Sequence, residues 1–219
     1  MIVSSIDALM IGGPKPFRSD GTLSAMAREP VQNPVMLRAL GFEGDQVADP
    51  AVHGGVDKAV HVYCAEHYPW WSREIGEHPL LKASGAFGEN ITAGGMTEDL
   101  VRIGDRFRMG KALVEISQGR QPCWKLDHRF QTSGIMSAIV TSRRGGFYFR
   151  VLEEGLVRPG DAINQVEQAK ADWTVDRVFH MLIAGGHKAP HAKAALEDLA
   201  ALDVLAENWR ARAAKLAAL

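Results

Sequence analysis

The sequence predicts a mainly β domain with helices, a barrel or a sandwich, followed by a small three-helix domain. Three observations carry this expectation. Many short apolar runs lie between glycine, proline and aspartate breaks in the first two-thirds of the 219 residues, the pattern of short strands joined by tight turns. Two segments within that region have helical spacing instead. After about residue 168 the apolar period becomes that of amphipathic helices. The chain therefore divides into 1–167 and 168–219.

Taken in order, strand-like runs fall at 5–11, 35–40, 59–63, 90–92, 106–109, 112–117, 147–152 and 162–166. Gly-Asp pairs at Gly44-Asp45, Gly104-Asp105 and Gly160-Asp161 read as tight turns, because glycine supplies positive φ and aspartate bonds the local backbone. They are taken as structure and not as chemistry. Helical insertions are expected at 66–76, with Tyr68, Trp70 and Trp71, and at 133–142. In the tail Thr174 is placed to cap a helix carrying Val175, Val178, Phe179 and Leu182. Gly185-Gly186 ends it. Pro190 is expected to open a second helix and Asp203 to cap a third. Residues 166–219 carry equal numbers of basic and acidic side chains, so the cationic footprint of a helix-turn-helix is missing. Packing on the main domain, or pairing in a homodimer, suits the tail better.

Composition narrows the function. A 46% hydrophobic content supports a real core, and a net charge of −1 argues against nucleic acid or anionic membrane as a partner. Cys64 and Cys123 stand far apart, outside any CxxC pattern, which suggests a reducing compartment. The N-terminus lacks the pattern of a signal peptide and no apolar run is long enough to span a bilayer. The expectation is a cytoplasmic protein.

The chemistry centres on the stretch from Ile116 to Leu126. A strand leads through a turn to Pro122 and Cys123, and a helix is expected to run from there to Phe130. Proline suits a first helical turn. Cys123 at a helix N-terminus, with Arg120 and Lys125 nearby, is favoured as a thiolate. Such a cysteine serves as a nucleophile, a sulfur carrier or a soft-metal ligand. The alternative is a buried structural cysteine. His53-Gly54-Gly55-Val56-Asp57-Lys58 offers glycine amides and a cation to an anion, with Asp57 placed to orient Lys58; a glycine-rich hairpin is the alternative. Glu89 and Asn90 have the groups to read a heterocycle edge, or else form a turn. Arg143, Arg144 and Arg150, with the glycines and aromatics between them, resemble an anion site or an exposed loop entering an amphipathic strand. No zinc-ligand spacing, nucleophile elbow or Rossmann fingerprint is present.

Together these pieces resemble the MOSC family, named for the C-terminal domain of molybdenum cofactor sulfurase. The resemblance rests on Gly41-Phe42-Glu43-Gly44-Asp45, His53-Gly54-Gly55-Val56-Asp57-Lys58, Phe87-Gly88-Glu89-Asn90, Ile103-Gly104-Asp105, Gln121-Pro122-Cys123-Trp124-Lys125-Leu126 and Gly146-Phe147-Tyr148-Phe149-Arg150 with Gly160-Asp161. The tail resembles the three-helix domain of the YiiM-like bacterial group, which is associated with hydroxylaminopurine resistance. The resemblance implies a β-barrel that binds the molybdenum cofactor, molybdopterin, with Cys123 as catalytic residue and metal ligand. The cofactor is anionic. His53, Gly54, Gly55, Asp57, Lys58, Glu89, Asn90, Arg120, Lys125, Arg143, Arg144 and Arg150 are the candidate cofactor contacts. The implied reaction is two-electron reduction of N-hydroxylated small molecules, of hydroxylaminopurine or amidoxime type, with the oxygen leaving as water. Electrons would come from a separate flavoprotein or iron–sulfur reductase. The competing readings are a sulfur carrier holding a persulfide on Cys123 and a non-catalytic binding module.

Overall fold

A computed structural model describes all 219 residues. The strands are β1 (Val3–Ile11), β2 (Lys15–Pro16), β3 (Leu23–Ser24), β4 (Glu29–Pro30), β5 (Val35–Arg38), β6 (Gly41–Phe42), β7 (Val60–Cys64), β8 (Ile91–Ala93), β9 (Arg106–Met109), β10 (Ala112–Gly119), β11 (Phe147–Glu153), β12 (Gly155–Val157) and β13 (Ala162–Glu167). The helices are α1 (Pro50–His53), α2 (His67–Ile75), α3 (Lys125–Arg129), α4 (Ile135–Ser142), α5 (Val175–Leu182), α6 (Ala192–Ala201) and α7 (Glu207–Ala217). Each run expected to be extended is a strand, and the two helical insertions are α2 and α4. The strands that the pattern did not reveal, β2, β3, β4, β6 and β12, have two or three residues each. That is too short to display alternation.

Seven strands close into a barrel in the order β13-β9-β10-β11-β7-β8-β1, with β13 pairing back onto β1. Closure leaves the barrel no free edge. Only β7 and β8 run parallel, and a parallel pair needs a crossover long enough to reverse the chain. That crossover holds α2 and delivers Gly85–Asn90 to the barrel end. Alternation along β11 places Phe147 and Phe149 inside and leaves Tyr148 and Arg150 on the other face. The Gly-Asp turns are present, with φ of 85° at Gly44, 90° at Gly104 and 83° at Gly160.

The helical tail shares the barrel's apolar core: Val175, Phe179, Leu199 and Trp209 are continuous with Phe107, Val114 and Ile116. A Cβ on Gly119 would lie 3.2 Å from the Trp209 ring and 3.3 Å from Val175, so the end of β10 has no room for a side chain. Thr174 caps α5 as expected, its hydroxyl accepting from the Arg177 N–H at 3.2 Å. Two expected helix starts are displaced. Pro190 lies ahead of α6, which begins after His191 at φ 68°. Asp203 caps nothing; α7 starts at Glu207 because the Ala206 N–H is spent on the Ser117 carbonyl of β10 at 2.9 Å. No helix is long and apolar enough to cross a membrane.

Candidate active site

β10 runs two residues farther than its expected run and carries the chain to the mouth of the barrel. The Arg120 N–H continues the pairing by donating to the Gly146 carbonyl at 2.9 Å. Pro122 is buried two residues beyond that last pairing. It does not enter a first helical turn, because α3 begins only at Lys125. Cys123 is half-buried just ahead of that helix, and its carbonyl accepts from the Leu126 N–H at 3.0 Å. A five-residue helix contributes little dipole, so side chains set the local charge.

Cys123 opens onto a cavity of about 370 Å³ that also takes in His53, Gly54, Lys58, His61, Asn90, Arg120, Lys125 and Tyr148. This volume lies within the range of small-molecule sites. Arg28 and Asp45 also line it, but they neutralise each other in a two-pronged pair, at 2.7 and 2.8 Å, with each side chain 8% exposed. The other cations have no carboxylate partner. Lys58 Nζ donates to the Val52 carbonyl at 2.5 Å and Lys125 Nζ to the Leu23 carbonyl at 2.9 Å. Arg120 is 6% exposed, and one of its terminal nitrogens has no partner at all. A buried guanidinium left in this way is costly unless an anion arrives.

The titrating groups register this field. Burial, then the charges of Lys125, Lys58 and Arg120, hold the His53 pKa below its ordinary value. Burial likewise lowers Lys58. His61 is lowered to about 3 by burial and then by Arg120, so its ring is neutral. Its Nε2–H donates to the Gly145 carbonyl at 3.2 Å. Burial raises the Tyr148 hydroxyl against the pull of Arg120.

Of the expected site residues, Cys123, His53, Gly54, Lys58, Asn90, Arg120 and Lys125 come together on the cavity wall. The others do not. Glu89 is fully buried and accepts from the Gly85 and Phe87 N–H groups and the Tyr68 and Thr92 hydroxyls, so it organises its own loop. Asn90 lines the cavity, yet both its amide hydrogens go to Met10 and Asp45. Asp57 does not orient Lys58; it pairs with Arg150 at 2.8 Å. Arg150 also reaches Glu115, on the outer face of the barrel. Arg143 is tied to Asp176 of α5 at 2.6 Å, and Arg144 lies over the Trp70 ring. The 53–58 stretch is not a hairpin. Gly54 makes room for the Pro50 carbonyl, which a Cβ would meet at 2.8 Å, and donates its own N–H there. Gly55 lies outside the cavity lining, and its φ of 100° is what requires glycine.

Four ionisable cavity residues escaped the reading of the sequence: Arg28, Asp45, His61 and Tyr148. Tyr148 had a signal, since it alternates with core phenylalanines. His61, a polar residue in an apolar run, had another. Asp45 was assigned to turn geometry alone, although it also neutralises Arg28. Nothing local marks Arg28.

A closed barrel with an anion-seeking cavity beside one cysteine defines the class, and the chain belongs to the MOSC domain family, whose model matches residues 49–164. Its particular kin are YiiM-like. The crystal structure of YiiM from Geobacillus stearothermophilus superposes with a TM-score of 0.81 at 32% identity, covering 98% of this chain and 99% of that one. The uncharacterised protein YflK of Bacillus subtilis (strain 168) is 40% identical over 209 residues, which is 94% of this chain and 91% of that protein. A protein of Gibberella moniliformis (strain M3125 / FGSC 7600) named "Reductase" is 36% identical over 162 residues, covering 74% of this chain and 29% of its own length.

Proposed function

We propose that this protein is a molybdenum cofactor-dependent reductase of N-hydroxylated compounds in which the Cys123 sulfur ligates the metal. The observation that carries the proposal is Arg120: a buried guanidinium with no carboxylate partner, on the wall of the cavity that holds Cys123. Molybdopterin fits that donor set. Its thiolate-bound metal suits a cysteine sulfur, and its terminal phosphate suits Arg120, Lys58 and Lys125, which have no internal counter-ion. Held there by Cys123, Arg120, Lys58 and Lys125, the cofactor would supply two-electron redox chemistry.

The chain's own residues do the rest. Cys123 fixes the metal end. Arg120, Lys58 and Lys125 neutralise the anionic end and hold the ligand in one orientation. The Arg28–Asp45 pair keeps the cavity wall in place through the Asn90 amide. Burial and the flanking cations hold the His53 pKa down, so its ring stores no proton and the protons that the reaction consumes come from solvent. Reduction of an N–OH group to N–H and water consumes two electrons and two protons. A separate flavoprotein or iron–sulfur reductase is proposed as the electron source.

The test is to isolate the chain from cells that make the cofactor and measure bound molybdenum and pterin. Wild type should carry both, and Cys123→Ala should lose the metal while keeping its thermal stability. Equal metal in the variant would refute the ligand assignment. A one-sulfur mass adduct on Cys123 without pterin would favour the sulfur-carrier reading instead.

A further inference from the structure

Arg120 stands where the barrel wall runs out of strands. β9 pairs with β10 only from Ala112 to Glu115. On that edge Ile116 is met by the turn at 104–105, with its N–H on the Asp105 carbonyl at 3.0 Å and its carbonyl on the Gly104 N–H at 2.8 Å. Beyond Ile116 the helical tail takes over. The Ser117 carbonyl accepts from the Ala206 N–H at 2.9 Å. Gly119 lies against Trp209, Val175 and Phe179, so closely that a Cβ would meet them at 3.2, 3.3 and 3.5 Å. A strand end without such cover would leave an open edge and backbone groups without partners.

The tail also reaches Arg120 from the opposite side, at one remove. The Arg120 N–H bonds the Gly146 carbonyl, and the Gly146 N–H bonds the Glu98 carboxylate at 2.7 Å. Glu98 is 5% exposed, and its second oxygen meets His67 Nε2 at 2.7 Å. Its backbone carbonyl accepts from the Asp176 N–H of α5 at 2.8 Å, and the Val101 carbonyl accepts from the Val175 N–H at 3.0 Å. Both routes end on the backbone of Gly119 and Arg120. No carboxylate holds the Arg120 head, and one of its terminal nitrogens has no partner. Where that charge points therefore depends on the backbone that carries it.

We propose that the three-helix tail is a positioning element of the anion site: through Ser117, Gly119 and Glu98 it fixes the strand end from which Arg120 reaches the cavity. Gly119 and Glu98 are positioning residues, since neither lines the cavity. A ligand group held by a guanidinium is sensitive to misplacement of well under an ångström, so the support behind it counts. The inference rests on the proposed anion-binding role of Arg120 and gives the tail a part in it.

Calorimetry of inorganic pyrophosphate binding to the full cofactor-free chain tests it, because no turnover enters the measurement. Gly119→Ala pushes Trp209 and Val175 away from β10 and should weaken binding roughly tenfold, the worth of one charge-assisted hydrogen bond. Adding Trp209→Phe removes the ring atom nearest the new Cβ and should recover affinity to within about threefold of wild type. Asp198→Ala frees the Trp173 indole, bonded to it at 2.6 Å. It loosens the tail without touching β10 and should leave affinity within about twofold. If Gly119→Ala does not fold, Ala206→Pro takes its place: it deletes the N–H on Ser117 at a φ of −52° that proline adopts, and should weaken binding roughly threefold. Normal affinity in the folded variant overturns the positioning role. So does an equal loss in Asp198→Ala, or a double variant as weak as Gly119→Ala alone. If wild type binds no pyrophosphate, the anion site of the proposed function falls and the positioning role with it. Wild-type binding with unaltered variants defeats the positioning role alone.

Discussion

Residues 120–125 and 143–150 carry similar chemistry in sequence: arginines beside a glycine pair or a proline, with aromatics close by. The fold treats them in opposite ways. Arg143 and Arg150 are answered by Asp176, Asp57 and Glu115, and Arg144 rests on an indole. Arg120 is buried deeper than any of them and is answered by nothing acidic. A cation is available to a ligand only where the fold has placed the carboxylates elsewhere. The two cysteines repeat the lesson. Cys64 is sealed, donates to Glu66 and has its pKa raised by burial, while Cys123 faces the cavity.

The comparison breaks most visibly at Glu115, which is 3% exposed and holds Arg106 and Arg150. Glu115→Ala should cost about 2 kcal/mol in denaturant unfolding, roughly 1 kcal/mol for each of two partly solvated pairs, because Arg106 keeps Glu167 and Arg150 keeps Asp57, with molybdenum content per folded chain unchanged. Arg120→Met should behave in the opposite way. Removing an unanswered buried cation should leave the cofactor-free chain as stable as wild type or up to about 1 kcal/mol more stable, while pterin retention falls roughly tenfold to hundredfold. If Arg120→Met instead unfolds the chain, the guanidinium is structural and the contrast fails.

Acid should sharpen the same contrast. His61 titrates at about 3 in the fold, below the roughly 6.5 of an unfolded histidine. The unfolded chain therefore takes up its proton first as pH drops. The contribution to stability is complete above about pH 6.5 and is lost progressively toward pH 3. Between pH 6.5 and about pH 5 the loss should be on the order of 2 kcal/mol. A His61→Gln variant, still able to donate to Gly145, should show a shallower melting-temperature slope across that window. An identical slope would mean that other groups set the acid limb. The smallest effect is expected at Arg143, whose pair with Asp176 is partly solvated. Arg143→Ala should change stability by less than about 1 kcal/mol and leave cofactor content alone.

Much of this molecule was legible along the chain. Alternation at 147–152 placed two phenylalanines in the core. The helical period after residue 168 announced the tail, and Thr174 marked its first cap. What failed was local inference about helix starts and charge. Asp203 looked like a cap, but the Ala206 N–H bonds a strand more than eighty residues earlier. Glu89 and Asn90 looked like ligand contacts, yet their bonding capacity is largely taken up within the protein.

The sequence by itself determined the period of each element, the glycine turns and the presence of a cysteine flanked by cations, because these depend on residues a few positions apart. The tertiary structure alone decided which cations are answered by a carboxylate and which stay unpaired. Those outcomes depend on partners brought from distant strands when the barrel closes, and no short-range pattern encodes where Asp57, Glu115 or Asp176 will come to rest.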